Sequence, residues 1–259
     1  MTRQSTYPIY YPKVVPGAHI SAELLNDIFR PLAYKERLRK LYKYFDEDEI
    51  LVTTSFGANS VFLLYLLDQV HPGQRVYFID TTYHFPETWA YKEQLERMFR
   101  LRFVTLQPEA EANEQTRRER MWETNPDLCC AINKVLPLEP VKARHKVWVS
   151  GLMSWQTDFR RQLRVFERQG GLLKFHPLLD LSEDYWRAEV TRLGLPAHPL
   201  AEKGYGSIGC THCTAPGQGR SGRWQGKGKT ECGLHPGFFE QRLKARKDKH
   251  EPPAGWGEC

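Results

Sequence analysis

The run Ile50-Leu-Val-Thr-Thr54-Ser55-Phe-Gly57-Ala-Asn-Ser60 decides the fold. Its first five residues are a short apolar stretch that reads as a strand buried in a parallel sheet. A polar, glycine-bearing turn follows, and the pattern from about Ala58 to Val70 reads as a helix. Strand, tight turn and helix in that order aim backbone N–H groups at an anion. Ser55, Gly57 and Ser60 are small enough to let a phosphate close to the backbone. A plain strand-to-helix connection with Ser60 in solvent would carry the same local signature.

Outward from this unit the alternation repeats. Arg75–Asp80, Leu101–Leu106 and Lys146–Ser150 read as further strands, and Leu172–Leu179 as a fifth apolar segment. The second strand runs into Asp80-Thr-Thr-Tyr-His84-Phe-Pro86-Glu87. Pro86 suits the first position of a helix and Glu87 its first turn. Open α/β sheets bind ligands at the carboxyl ends of their strands, so Asp80 either accepts from a ribose hydroxyl or caps its turn. Glu109 to about Met121 reads as a solvated helix. Ser182 opens another helix that stops at Gly194 and Pro196. Upstream, Ile20–Tyr44 is helical but interrupted at Pro31, with Tyr34, Leu38, Leu41 and Phe45 on one core-facing side. Strands alternating with helices give an α/β fold with a doubly wound, mostly parallel sheet.

Six cysteines and a net charge of +6 in 259 residues, 41% of them apolar, narrow the chemistry. The charge favours an anionic partner, but without a long Lys/Arg block there is no nucleic-acid signature. No run approaches the roughly 20 apolar residues of a membrane span, and the N-terminus lacks a signal-peptide core. Both imply a cytoplasmic protein, in which cysteines serve as ligands or reactive thiols rather than disulfides. Residues 1–17 read as irregular.

After Gly204 regular periodicity ends and Gly and Pro increase. The chain therefore divides into an α/β domain, residues 1–203 with a helical N-terminal segment, and a mobile cysteine-bearing segment and tail, residues 204–259. That segment holds Cys210-Thr-His-Cys213, Arg220, Arg223 and Glu231-Cys232-Gly-Leu-His235. Two thiols at C-x-x-C spacing can grip one metal centre, and Cys129-Cys130 supply a second pair. Four thiolates suit an iron–sulfur or a zinc site, leaving Cys232 free. Lys134 lies four residues after Cys130, on the same helix face, either between a metal centre and a substrate or in solvent. Arg160, Arg161 and Arg164 form either a solvated helix face or an anion-binding lid.

Taken in order, Thr54-Ser-Phe-Gly57, Asp80-Thr…Phe-Pro-Glu-Thr88, Cys129-Cys130…Lys134, Gly204-Tyr…Cys210…Cys213, Arg220-Ser-Gly-Arg223-Trp and Glu231-Cys232-Gly-Leu-His235 resemble the assimilatory sulfonucleotide reductases. These reduce adenosine 5′-phosphosulfate (APS) or its 3′-phosphorylated form (PAPS) to sulfite. The paired cysteines are similar to those of the APS reductase branch that carries a [4Fe-4S] cluster. The resemblance implies Cys129, Cys130, Cys210 and Cys213 as cluster ligands and Cys232 as nucleophile. It implies Lys134, Arg220 and Arg223 as anion contacts, beside Ser55, Gly57, Ser60 and Asp80 at the nucleotide. It further implies an enzyme S-sulfocysteine and a thioredoxin or glutaredoxin as reductant.

The implied fold is of the adenine-nucleotide α-hydrolase type, related to the PP-loop ATP pyrophosphatases. Their Ser-Gly-Gly-x-Asp-Ser loop is here Ser55-Phe-Gly-Ala-Asn-Ser60, without the glycine pair and the acid. That speaks against ATP cleavage, and so against an ATP-dependent RNA-thiolating enzyme. Two departures from the reductase pattern stand out. Asn133 occupies a position where the family often has arginine, as does Met153. Either Arg160 or Arg161 substitutes, or the substrate differs, which leaves PAPS as the alternative. Cys259 matches nothing in the family and reads as an exposed incidental thiol.

Overall fold

The structure is a computed structural model that describes residues 21–169, 171–227 and 229–234. The expectations for residues 1–17, His235, the charged tail and Cys259 lie outside the described residues. Two helices lead in, α1 (Ala22–Phe29) and α2 (Tyr34–Tyr44), parted near Pro31 as the sequence suggests. Then follow β1 (Ile50–Thr54), α3 (Val61–Val70), β2 (Arg75–Ile79), α4 (Pro86–Met98) and β3 (Arg102–Leu106). Pro86 occupies the first turn of α4. α3 begins later than expected because residues 57–60 close a turn of their own, with the Ser60 N–H donating to the Gly57 carbonyl at 3.1 Å.

The expected helix from Glu109 breaks into α5 (Ala110–Arg118) and α6 (Met121–Thr124), parted by Arg120 in a left-handed conformation at φ +47°. α7 (Pro126–Cys130) continues through a π-helical turn, Ala131–Val135, into α8 (Leu136–Lys142). The remainder is β4 (Val147–Val149), α9 (Asp158–Arg161), β5 (Phe166–Gln169), β6 (Leu172–Phe175) and α10 (Glu183–Arg192). The Ser182 hydroxyl caps α10 by accepting from the Tyr185 N–H, and Gly194 follows it at φ +60°.

The sheet order is β3-β2-β1-β4-β6-β5, parallel throughout except for antiparallel β5. β5 is a strand that the sequence reading misses: Phe166-Glu-Arg-Gln at an edge carries little apolar pattern. The Gly170-Gly171 pair behind it is the available hairpin signal. Alternate residues divide between the two faces. Ile50, Val52, Val76, Phe78, Val147 and Val149 join the main core with α3, while Leu51, Tyr77, Ile79 and Trp148 pack with Leu138 of α8.

From β1 the chain goes outward to β2 and β3, and then returns to β4 on the other side of β1. This is a topological switch point, where open α/β sheets form a crevice at the carboxyl ends of their strands.

Arg37 of α2 fastens the helical lead-in. Fully buried, it donates to the Phe29, Arg30 and Pro177 carbonyls and forks onto Asp180 at 2.6 and 2.7 Å. Arg37→Met takes the donor away from three carbonyls and from the Asp180 carboxylate. It should cost on the order of 3 kcal/mol, read as a lower urea midpoint with an unchanged slope.

Candidate active site

A cleft of about 220 Å³ opens at the switch point, at the ends of β1, β2, β4 and β6. Ser55, Gly57 and Ser60 line it from the turn after β1, and Ser150–Leu152 from the turn after β4. Ser60 is tied to this turn, its hydroxyl donating to the Gly57 carbonyl at 2.8 Å. Close approach favours glycine at 57: a Cβ there would stand 3.2 Å from Ser55 Oγ and 3.3 Å from the Ile208 carbonyl. The segment after Gly204 thus crosses directly over the turn. Asp80 lies outside the cleft lining. Its carboxylate accepts from the Thr82 N–H and the Gln107 amide, each at 2.8 Å, so it closes the turn.

Basic side chains converge on this cleft. Lys134, Arg220 and Arg223 all line it, as the sequence suggests, and so do Arg160 and Lys174. Lys134 projects from the π-turn, a rare distortion often found at functional sites. Burial opposes its charge, but Coulombic attraction to the sulfurs of Cys210, Cys130 and Cys232 holds its ammonium above the ordinary value. Arg223 stacks on Trp224 at 4.3 Å and donates to the Ile208 carbonyl at 3.2 Å. Gly209 makes room for it, since a Cβ there would fall 2.3 Å from Arg223 Nη2. Arg220 donates to Thr230 O at 2.8 Å and Glu231 Oε2 at 3.3 Å. Burial, and then Arg160, push its guanidinium down to about 9.

Arg160 and Arg161 are placed differently. Arg160 is buried, and its fork closes on Glu231 at 2.7 and 2.8 Å, whereas Arg161 is exposed and pairs with Asp158. Met153 is fully buried in the core. Lys174 belongs to no site motif in the sequence, although a lysine in the middle of Leu172-Leu-Lys-Phe175 is itself a signal. It is fully buried 3.9 Å above the Trp148 ring, and burial pushes its ammonium down to about 7. His84 at the rim is held neutral, pushed down by burial to about 4, and donates from Nε2 to the Ile79 carbonyl. Two buried donors here lack a partner, Arg220 Nε and Trp224 Nε1, together with His84 Nδ1. Unmet polar groups beside surplus positive charge suit an anionic ligand.

The cysteines gather beside the same cleft. Cys129, Cys210 and Cys213 are buried against Tyr83, Met121 and Trp224, with Cys232 packed at the edge. Cys130 is buried as well, among the charges of Lys134, Lys229, Cys232 and Cys210. All five are reduced. Burial and mutual charge push the Cys129 thiol up to about 12, and burial raises those of Cys130 and Cys213. Burial also acts on Cys232, but Lys134, the Leu234 backbone N–H and Arg223 together hold its thiol below the ordinary value.

Polar groups already address two of the sulfurs. The Asn133 amide lies 3.6 Å from Cys129 Sγ and donates to the Cys129 carbonyl, and Thr81 Oγ1 lies 3.3 Å from Cys210 Sγ. Among the described residues no three His, Cys, Asp or Glu side chains converge closely enough to hold a single metal ion. The thiols form a patch rather than a one-ion cage.

Comparisons with known proteins place these features in a family. The profile described as phosphoadenosine phosphosulfate reductase domain matches residues 49–216. An adenosine 5′-phosphosulfate reductase of Bacillus mycoides (strain KBAB4) is 43% identical over 199 residues, covering 73% of this chain and 85% of the relative. One of Bacillus cereus (strain B4264) is 40% identical over 213 residues, covering 78% and 87%. Among solved structures, the phosphoadenylyl-sulfate (PAPS) reductase of Candida auris, a phosphate complex, superposes with a TM-score of 0.65 at 25% identity. It covers 76% of this chain and 99% of that one. The FMN adenylyltransferase of Candida glabrata shares the fold, with a TM-score of 0.50 at 16% identity, covering 75% and 74%. The sheet and these neighbours agree with the expected PP-loop-type fold.

Cys232 is half-buried, whereas the other four described thiols are buried. Brief iodoacetamide treatment of the protein as isolated should therefore label Cys232 at least about tenfold faster than any of these four, read by peptide mass mapping.

Proposed function

The chain belongs to the phosphoadenosine phosphosulfate reductase family, and from that premise we propose that it reduces APS to sulfite and AMP in sulfate assimilation. The observation that carries this reading is the half-buried Cys232, set in one cleft with Lys134, Lys174, Arg220 and Arg223. The relatives at 40–43% identity are named as APS reductases, which favours APS over PAPS. PAPS is the second substrate to assay, because the Candida auris neighbour is named for it.

In the first step the Cys232 thiolate attacks the sulfate sulfur of APS. The bond from that sulfur to the bridging phosphate oxygen breaks, AMP leaves with the electron pair, and an S-sulfocysteine remains. In the second, a thiol of thioredoxin or glutaredoxin attacks Cys232 Sγ and sulfite leaves with two electrons. A second reductant thiol then closes the disulfide and frees Cys232. Phosphate and sulfate repel an approaching thiolate. Lys134 and Arg223 offset that repulsion and favour the ionised thiol. Arg220, with an unpartnered Nε, turns a donor toward the same space. The turn Ser55–Ser60 takes the nucleotide phosphate, with Gly57 keeping the backbone open to it. Asp80 holds that neighbourhood in shape through its turn.

Cys129, Cys130, Cys210 and Cys213 are assigned to a [4Fe-4S] cluster. The patch fits such a group by its donor set: four buried thiols from two cysteine pairs, with the buried Trp224 N–H beside them lacking an acceptor of its own. When bound, the cluster would order the two cysteine pairs and add charge beside Lys134. The protein works in the cytoplasm, where thiols stay reduced. No helix among the described residues is long and apolar enough to cross a membrane.

The deciding experiment is anaerobic purification with iron and acid-labile sulfide analysis, followed by sulfite release from APS and PAPS with thioredoxin. Iron and sulfide in equal amounts and turnover of APS are expected; zinc without sulfide would remove the cluster. Cys232→Ser should abolish sulfite release and keep the iron. A variant that still turns over ends the case for Cys232. Arg223→Ala should raise KM for APS, and Lys134→Met should lower kcat/KM by roughly 10²-fold or more.

A further inference from the structure

The arm that carries Cys232 is fastened on both sides of the thiol, and both fasteners are buried cations from the body of the domain. On one side Arg160 grips Glu231, Nε to Oε1 at 2.7 Å and Nη2 to Oε2 at 2.8 Å. Glu231 is fully buried and Arg160 nearly so. Arg160 is itself fixed from behind: Nη1 donates to Gln156 Oε1, and its N–H donates to Thr157 Oγ1 at 3.1 Å. Thr157 Oγ1 passes its own proton on to Glu231 Oε1 at 3.2 Å. On the other side Lys174 Nζ donates to the Leu234 carbonyl at 2.5 Å. It is fixed over the Trp148 ring, whose N–H donates to Thr53 Oγ1 at 2.8 Å. Helix α9 therefore holds the residue before Cys232, while the sheet reaches up through β1, β4 and β6 to hold the residue two beyond it.

We infer that Arg160 and Lys174 are positioning residues: they clamp Glu231 and Leu234 and so seat the Cys232 thiol against the cleft. The inference rests on the reading of Cys232 as nucleophile. Within the arm Arg220 donates to Thr230 O and Glu231 Oε2, but regular secondary structure gives little further support. The described stretch after Gly204 has one short 3-10 turn and two isolated bridges, Tyr205 with Gly217 and Thr214 with Arg223, and neither bridge touches residues 230–234. A guanidinium fork on a carboxylate fixes direction as well as distance. Displacement of a reacting atom by about 1 Å can cost about 10²-fold in rate. With its fork committed to Glu231, Arg160 acts on the reaction through the arm. Two side-chain contacts, unlike a strand ladder, can also give way when a protein thiol approaches Cys232.

The test uses the whole protein as isolated, with Arg160→Met, Lys174→Met and Glu231→Gln, each checked for circular dichroism and iron content. Two readouts are taken. The first is the rate of iodoacetamide labelling at Cys232 with no substrate present. The second is the division of the activity change between kcat and KM for APS. The expected result is labelling about tenfold faster or more in each variant, kcat lower by about 10²-fold in Arg160→Met, and KM changed far less.

Arg160→Met and Glu231→Gln should add only in part when combined, because both break the Arg160–Glu231 pair while Glu231→Gln also weakens the contact with Arg220. Unchanged labelling in folded Glu231→Gln and Lys174→Met overturns the clamp. A raised KM with kcat intact also overturns it, by making Arg160 a substrate contact. If Arg160→Met fails to fold, Glu231→Gln decides, since it keeps the size of the side chain and removes only the charge. Labelling without substrate does not depend on which thiol reacts with APS. Persisting turnover in Cys232→Ser would therefore sink the catalytic reading while leaving the clamp measurement intact.

Discussion

Like charges do not gather in a buried cleft unless something holds them there. Lys134, Arg160, Lys174, Arg220 and Arg223 all line one cleft, with Glu231 as the carboxylate among them. The consequences are visible in the groups themselves: Arg220 and Lys174 are driven toward their neutral forms by burial, with Arg160 adding to the effect on each. Glu231 takes up part of the excess, held by Arg160 at one edge and reached by Arg220 at the other. Removing one member of such a buried pair costs on the order of 3–5 kcal/mol, because the other charge is left unpaired. What remains uncompensated is the chemical specification of the site, a demand for an anion that the chain does not meet by itself.

The sheet brings these groups together. Because β1 and β4 are neighbours while the chain departs from them in opposite directions, the turns after both strands open onto the same space. β6 adds Lys174 next door, in register with Trp148 of β4. The irregular segment after Gly204 then closes the top, and its glycines allow contact closer than other residues permit. Gly209 lies under the Arg223 guanidinium, and a Cβ on Gly222 would fall 1.9 Å from the Ala215 carbonyl. Close packing of backbone against backbone takes the place of a sheet ladder here.

The cysteine patch and the cleft share a wall. Lys134 faces thiolates on one side and the cleft on the other, and Trp224 lies between Arg223, Lys229 and the buried thiols. Charge held at the patch is therefore felt at Cys232 through these two residues. Asn133 fits the same arrangement. In place of another cation it offers an amide that bridges Asn113, Thr116 and the Cys129 carbonyl. A buried amide here serves hydrogen bonding without adding to the repulsion around Lys134.

The sequence by itself determined the scaffold. The strands at Ile50–Thr54, Arg75–Ile79 and Arg102–Leu106, the break near Pro31 and the caps at Pro86 and Ser182 follow from local pattern and local chemistry. Its motifs also picked out Lys134, Arg220, Arg223 and Cys232, all four of which line the cleft. Only the tertiary structure decided the allocation of partners. Arg160 and Glu231 are 71 positions apart, and Lys174 and Leu234 are 60 apart. No periodicity links such pairs, so nothing local marks Arg160 off from Arg161 or makes Lys174 more than a polar residue in an apolar strand. Asp80 shows the converse: its place at a strand end left a ribose contact and a turn cap open, and the fold brings the Thr82 N–H and the distant Gln107 amide onto its carboxylate. Short-range order is written in neighbouring residues, whereas the destination of a charge depends on which distant group the fold brings within reach.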